Sequence, residues 1–217
     1  MLLFLSITVL TFFHQVNTKL GFDSADAYTI NTFRCMRGQG YDFFIARVYH
    51  SYGAPDPVGV QNIKNVKLAG WSLIDAYIFP CLKDTCPSGK QQVIDALNFT
   101  QQANVSFNTF WLDIERFAWP SNKTFNRQFI SDMVQQAQAM GAKVGIYTLS
   151  TYWNEIVGLD FTTFSSLPLW WPQYDGVQNI TDFKPFSGWN LPAIHQFSGG
   201  VQEDGCSITI DQDWYPD

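Results

Sequence analysis

Strand-like apolar segments alternate with helix-like segments from residue 20 to residue 157, and no other feature of the sequence constrains the fold as strongly. Five strand–helix units follow one another. Their strand candidates are residues 20–23, 43–50, 71–79, 107–115 and 142–148, and their helix candidates are residues 29–37, 58–68, 91–103, 125–140 and 152–157. Strands that alternate with helices in this way form parallel sheets with right-handed crossovers.

The alternation stops after the fifth helix candidate. Three more strand candidates, residues 167–175, 191–198 and 207–213, follow with little helix between them. Five units and three strands make eight strands, so the sequence predicts an α/β fold: an irregular TIM-like barrel that is parallel at its start and irregular at its end. A doubly wound open sheet is the alternative. A chain of 217 residues fits one barrel domain, which we expect over residues 19–217.

The first residues indicate secretion. They are apolar from Leu2 to Phe13 and then become polar. Because this run is too short to span a bilayer, it is typical of a signal peptide, which we expect to cover residues 1–18. We therefore expect a secreted protein, or one in an acidic lysosomal or digestive compartment, without membrane contact after cleavage. Four Asn-x-Ser/Thr sequences are candidate glycosylation sites, and they begin at Asn98, Asn104, Asn122 and Asn179.

The four cysteines fit the oxidising route that a signal peptide implies. Four cysteines allow three pairings. We favour Cys81 with Cys86, which closes a short loop, and Cys35 with Cys206, which ties the first helix to the C-terminal strands. A zinc site is the competing interpretation, but neither histidine beyond the signal peptide has ligand spacing to a cysteine.

Charge and motifs exclude several classes of protein. Thirteen Lys and Arg against nineteen Asp and Glu give a net charge of -6, the wrong sign for binding nucleic acid. The sequence contains neither G-x-S-x-G nor H-E-x-x-H, and the glycines Gly38 and Gly40 lack the third glycine and the preceding strand of a dinucleotide site. We expect no cofactor and no metal.

Acidic residues occur at the ends of several predicted strands, where parallel barrels place their working residues. Asp113 and Glu115 are two apart, so their side chains share one face of a strand, and Trp111 shares it too. Neighbouring carboxylates beside an aromatic ring favour the protonated acid that glycoside hydrolysis requires. The alternative is a loop cap or an ion pair with Arg116. The candidate acids are Asp23, Asp113, Glu115 and Asp211.

Short motifs accompany these acids in a fixed order. They are Gly21-Phe22-Asp23, Tyr77-Ile78-Phe79, Trp111-Leu112-Asp113-Ile114-Glu115, Gly145-Ile146-Tyr147-Thr148, Leu169-Trp170 with Tyr174, Gln196-Phe197-Ser198, and Ile210-Asp211. This series runs from Leu20 to about Trp214, and it resembles glycoside hydrolase family 25, the secreted lysozymes, in the eukaryotic form of nematodes or amoebae.

The resemblance implies an activity and a set of roles. It implies cleavage of the β-1,4 bond between N-acetylmuramic acid and N-acetylglucosamine in bacterial peptidoglycan, for defence or for digestion of bacteria. Glu115 would be the general acid, Asp113 would orient an attacking acetamide of the substrate, and Asp23 and Asp211 would complete the acidic cluster. We expect a monomer whose partner is peptidoglycan.

The sequence departs from the family pattern at one position, and a second assignment stays open. Ala25 stands where the family usually has serine just after the first strand, and Asp26 competes with Asp23 as the relevant acid. Near the C-terminus, Asp211 and Asp213 share one strand face, so the preference for Asp211 depends on the resemblance alone.

Four aromatic residues are candidates for stacking on sugar rings, because such rings offer an apolar face and a polar edge. Packing inside the barrel is the alternative for each of them. They are Tyr77, Tyr147, Trp170 and Tyr174.

Two other functions stay open. A barrel of this kind can bind glycan or act in signalling without catalysis. A hydrolase of chitin-like glycans is the second alternative, although Asn108 and Trp111 occupy the first two acidic places of the chitinase pattern D-x-x-D-x-D-x-E. Because a negatively charged protein is repelled by an anionic cell wall, we expect an acidic pH optimum.

Overall fold

The computed structural model describes residues 19–216, so the predicted signal peptide lies outside the described residues. The strands are β1 (Lys19–Ser24), β2 (Tyr41–His50), β3 (Ala54–Pro55), β4 (Leu73–Ile78), β5 (Thr109–Asp113), β6 (Lys143–Tyr147), β7 (Leu169–Pro172), β8 (Ile194–Glu203) and β9 (Ile208–Tyr215). The helices are α1 (Ile30–Gly38), α2 (Pro57–Leu68), α3 (Gly89–Gln102), α4 (Lys123–Ala139) and α5 (Ser150–Ile156). Every predicted strand and helix is present, with ends that differ by a few residues.

Eight of these strands form a closed barrel. Their order around it is β1-β2-β4-β5-β6-β7-β8-β9, and β9 pairs again with β1. Neighbours from β1 to β8 run parallel, whereas β9 runs antiparallel to both β8 and β1. The predicted TIM-like barrel with an irregular end is therefore confirmed, and closure rules out the open sheet. The two-residue β3 pairs with the end of β2 and was not predicted.

Local sequence signals begin the helices. Asp56 precedes α2, and its side chain accepts hydrogen bonds from the backbone N–H groups of Val58 and Gly59, with Pro57 at the first helical position. This arrangement satisfies donors that the first turn of a helix leaves free. Asn122 caps α4 in the same way, through the N–H of Phe125.

The barrel interior has its own apolar core, distinct from the layer between barrel and helices. Its buried residues come from six of the barrel strands, and they are Phe43, Ile45, Tyr77, Trp111, Tyr147, Trp170 and Ile194. Gly145 makes room for one of these rings, because a Cβ atom there would come within 2.3 Å of the Trp111 side chain. The acidic residues lie beyond this core, at the carboxyl ends of the parallel strands.

Both predicted disulfide bonds are present. Cys35 of α1 is bonded to Cys206 in the turn between β8 and β9, and Cys81 is bonded to Cys86 in the loop after β4. Among residues 19–216, no helix is long and apolar enough to cross a membrane.

Candidate active site

The barrel brings the four predicted acids together at one end. Asp23 is the penultimate residue of β1, and the antiparallel register places it opposite Asp211 of β9. Asp113 is the last residue of β5, and Glu115 follows two residues later, beyond the strand. The ionisation of Asp23, Asp113 and Glu115 is in each case affected by the charge of at least one other of the four acids, as expected for a compact cluster.

Burial and mutual repulsion favour the protonated forms of these acids. Asp113 is only 7% exposed, and its burial raises its pKa well above the usual range, with the charges of Glu115 and Asp23 adding to the effect. Glu115 is half-buried, and its pKa is raised first by burial and then by the charge of Asp211. A half-buried carboxylic acid that keeps its proton to a higher pH is suited to general acid catalysis.

Gln196 connects two parts of the site, a role that sequence reasoning missed although its motif had been noted. Its Nε2 atom donates to Oδ1 of Asp23 over 2.5 Å. Its Oε1 atom accepts hydrogen bonds from the hydroxyl groups of Tyr147, at 2.8 Å, and Tyr174, at 3.0 Å. A donor to Asp23 favours the ionised form of that acid, which opposes the effect of its burial on the pKa.

The structure distinguishes between the competing acids of the sequence. The side chain of Asp26 is exposed and does not affect the ionisation of Asp23, Asp113 or Glu115, so Asp23 and not Asp26 is the member of the cluster. Asp211 and Asp213 both belong to the cluster. The backbone N–H of Gly200 donates to Asp211 over 2.6 Å.

The ion pair with Arg116, which was the alternative explanation of the Asp-x-Glu acids, is not formed within residues 19–216. Arg116 instead lies 2.7 Å from Glu155 of α5, with both side chains more than half exposed. The acids of β5 are therefore not explained by an ion pair with this residue. Within residues 19–216, no group of three or more His, Cys, Asp or Glu side chains is arranged to hold a metal ion.

The four aromatic candidates occupy two different environments. Trp170 is 2% exposed and lies inside the barrel, where its Nε1 atom donates to Oδ1 of Asp213 over 2.8 Å. Tyr77 and Tyr147 are also buried, and the pKa of each is raised by burial and then by nearby acids. Of the four, only Tyr174, 58% exposed, has a largely exposed ring.

Two further exposed aromatic residues lie after strands at the same end of the barrel, and sequence reasoning missed them. Tyr52 follows β2 and stacks on His50 with ring centres 4.3 Å apart. Phe117 follows β5 and contacts Phe79 with ring centres 5.3 Å apart. The signal in the sequence was their position a few residues after a strand, in the region where the acids were also sought.

Comparison with known proteins agrees with this architecture. The family model described as Lysozyme-like protein 1 matches residues 14–197. Lysozyme-like protein 5 of Caenorhabditis elegans is 44% identical, over 97% of this chain and 98% of its own length. Probable GH family 25 lysozyme 2 of Dictyostelium discoideum is 37% identical, over 90% of each chain.

The fold is also shared with a solved structure. A family GH25 lysozyme from Aspergillus fumigatus superimposes with a TM-score of 0.71, covering 93% of this chain and 95% of its own, at 19% sequence identity. At that identity the likeness concerns the fold, whereas the two relatives above establish kinship. The chain belongs to the glycoside hydrolase family 25 lysozymes.

Proposed function

We propose that the protein is a lysozyme that hydrolyses the β-1,4 bond between N-acetylmuramic acid and N-acetylglucosamine in bacterial peptidoglycan. The observation that carries this proposal is the pair of acids at the carboxyl end of β5: half-buried Glu115 and buried Asp113, each with a raised pKa. The relatives named as lysozymes support the same substrate.

Glu115 is the general acid in this proposal. As the glycosidic bond breaks, its carboxyl proton passes to the leaving oxygen, and the acetamide oxygen of the substrate bonds to the anomeric carbon. In the second step the Glu115 carboxylate takes a proton from water, and the resulting hydroxyl replaces the acetamide oxygen. The sugar product therefore gains the hydroxyl and Glu115 regains its proton.

Asp113 orients the acetamide. Its Oδ1 atom is buried and has no hydrogen-bond partner within the part of the chain that the structure describes. An orphaned acceptor of this kind is costly unless a ligand satisfies it. The N–H of the substrate acetamide is such a donor, and a hydrogen bond to Asp113 would turn the carbonyl oxygen toward the anomeric carbon.

The exposed aromatic residues around the mouth of the barrel supply apolar faces for neighbouring sugars. Tyr174 lies after β7, and Tyr52 and Phe117 lie after β2 and β5. Their positions after three different strands support a glycan chain that crosses the carboxyl end of the barrel and stacks on more than one aromatic ring.

Secretion, or delivery to an acidic lysosomal or digestive compartment, is the setting that we propose for this activity. The apolar N-terminal sequence, the two disulfide bonds and the raised pKa of Glu115 all support an oxidising and acidic environment. A monomer that acts in antibacterial defence or in digestion of bacteria fits this setting.

The deciding experiment measures the release of reducing ends from peptidoglycan and from chitin between pH 4 and pH 7. Glu115→Gln removes the transferable proton and should lower the rate by about a hundredfold or more. Glu155→Gln is the matched control, because Glu155 lies on α5 and pairs with Arg116 at the surface. We expect this variant to cut peptidoglycan like the wild type, with the highest rates at acidic pH.

Other outcomes would favour the alternatives. Binding of peptidoglycan without cleavage by the wild-type protein would mean a glycan-binding or signalling barrel. Cleavage of chitin but not of peptidoglycan would mean a hydrolase of chitin-like glycans.

A further inference from the structure

Asp213 is a buried acid that the proposed mechanism leaves without a role. It lies on β9 with 0% exposure, opposite Gly21 of β1. Asp23 lies two residues further along β1, so its side chain points to the same face of the strand as the position opposite Asp213.

The contacts of Asp213 account for one of its oxygen atoms but not for the other. Oδ1 accepts a hydrogen bond from Nε1 of Trp170 over 2.8 Å. Oδ2 is buried and receives no donor from any residue in the range 19–216. The carboxyl groups of Asp213 and Asp23 lie close enough for each to affect the ionisation of the other.

Among residues 19–216, no cationic side chain lies beside this pair of acids. The groups that face Asp213 are Asp23 on β1, Asp211 and Tyr215 on β9, Trp170 on β7 and Gln196, its pairing partner on β8. Each of them is either acidic or neutral. Two ionised carboxylates cannot remain in contact in such an environment, so one proton must lie between them.

The surroundings indicate which acid holds the proton. Asp23 receives a hydrogen bond from Gln196 and keeps 6% exposure, whereas Asp213 has no exposure at all. We infer that Asp213 remains protonated and donates a hydrogen bond to Asp23, which keeps Asp23 ionised and fixed at the mouth of the barrel. Asp213 is thus a positioning residue, and this role rests on the proposed lysozyme function.

An amide can replace a neutral carboxylic acid in this position. In Asp213→Asn, the side-chain oxygen still accepts from Trp170, and the side-chain N–H group donates to Asp23. We expect this variant to keep most of the wild-type kcat with an unchanged pH profile. Asp213→Ala loses both contacts and should lower kcat by about tenfold or more. Asp211→Asn, which removes an acid of the predicted catalytic cluster, should also reduce kcat strongly.

A second measurement does not depend on activity. A proton that the folded protein holds on Asp213 is released on unfolding at any pH well above 4, the ordinary range of an unfolded aspartate. The free energy of unfolding in urea is therefore measured between pH 5 and pH 7.5, and its slope against pH gives the number of protons released. Asp213→Asn should reduce that number by about one relative to the wild type.

The two measurements together decide the inference. An active Asp213→Asn with one fewer released proton supports it. An Asp213→Asn that is as inactive as Asp213→Ala, or that releases as many protons as the wild type, overturns it, because Asp213 would then act as an ionised group. If the wild type cuts no glycan at all, the proposed function fails, and the proton count alone still decides whether Asp213 is neutral.

Discussion

Gln196 is the residue on which the geometry of the site most depends. It is 2% exposed, donates to Asp23 and accepts from two tyrosine hydroxyl groups, so its amide has no freedom to turn. The sequence places Gln196 in a strand, but its contact with Asp23 spans 173 residues and exists only because β8 and β1 lie on either side of β9. Such a contact depends on barrel closure and has no signal in local sequence.

Replacing Gln196 should therefore reduce catalysis. Gln196→Leu removes the donor that favours ionised Asp23, so the pKa of Asp23, already raised by burial, should rise further. A hydrogen bond to a charged group contributes about 1.5–3 kcal/mol, which corresponds to a loss of about 10- to 100-fold in kcat/KM. The release of reducing ends from peptidoglycan measures this loss of activity.

Gln202→Leu is the control, because Gln202 is exposed on the same strand. Equal activity of the two variants would contradict the role of Gln196.

At the scale of elements, the order of strands and helices was predictable from the sequence. Several strand ends, and the faces to which some side chains point, were not. The strand predicted over residues 107–115 ends at Asp113, yet Glu115 still faces the site beside it. Trp170 and Trp171 show a different limit. All four residues of β7 are buried, so alternation in the sequence could not reveal that Trp170 faces the barrel interior and Trp171 the outer layer.

The two disulfide bonds stabilise different elements and should contribute unequally to stability. Cys35–Cys206 ties α1 to the β8–β9 turn across 171 residues, whereas Cys81–Cys86 closes a loop across 5 residues. In the chain-entropy model these loops correspond to about 5 and about 2 kcal/mol. Urea unfolding of the two double-serine variants compares them directly, since each loses one disulfide and gains two serines. A larger loss for the shorter loop would contradict this reasoning.

At the scale of the whole molecule, six acids are buried or half-buried within or beside the barrel. Burial is the main cause of a raised pKa for each member of this group, which is Asp23, Asp75, Asp113, Glu115, Asp211 and Asp213. Strand ends in the sequence identified four of them. Asp75 lies away from the others, where it accepts hydrogen bonds from Trp111, Thr109 and Tyr215.

This distribution predicts that the protein is most stable at mildly acidic pH. The unfolded chain releases the protons of these acids above about pH 4, whereas the folded protein retains the protons of those that stay neutral, Asp213 among them, until the pH passes their raised pKa values. The free energy of unfolding should therefore fall as the pH rises from 5 to 7.5, by about 1.4 kcal/mol per pH unit for each proton released. Urea unfolding across this range measures the slope of the free energy of unfolding against pH.

Repulsion within a chain of net charge -6 would also make the free energy of unfolding fall as the pH rises. Salt screens that repulsion but hardly affects buried acids. The slope should persist in about 0.5 M salt, where the Debye length is only a few ångströms. A slope that disappears in salt, or stability that increases toward pH 7.5, would show that the buried acids do not keep their protons.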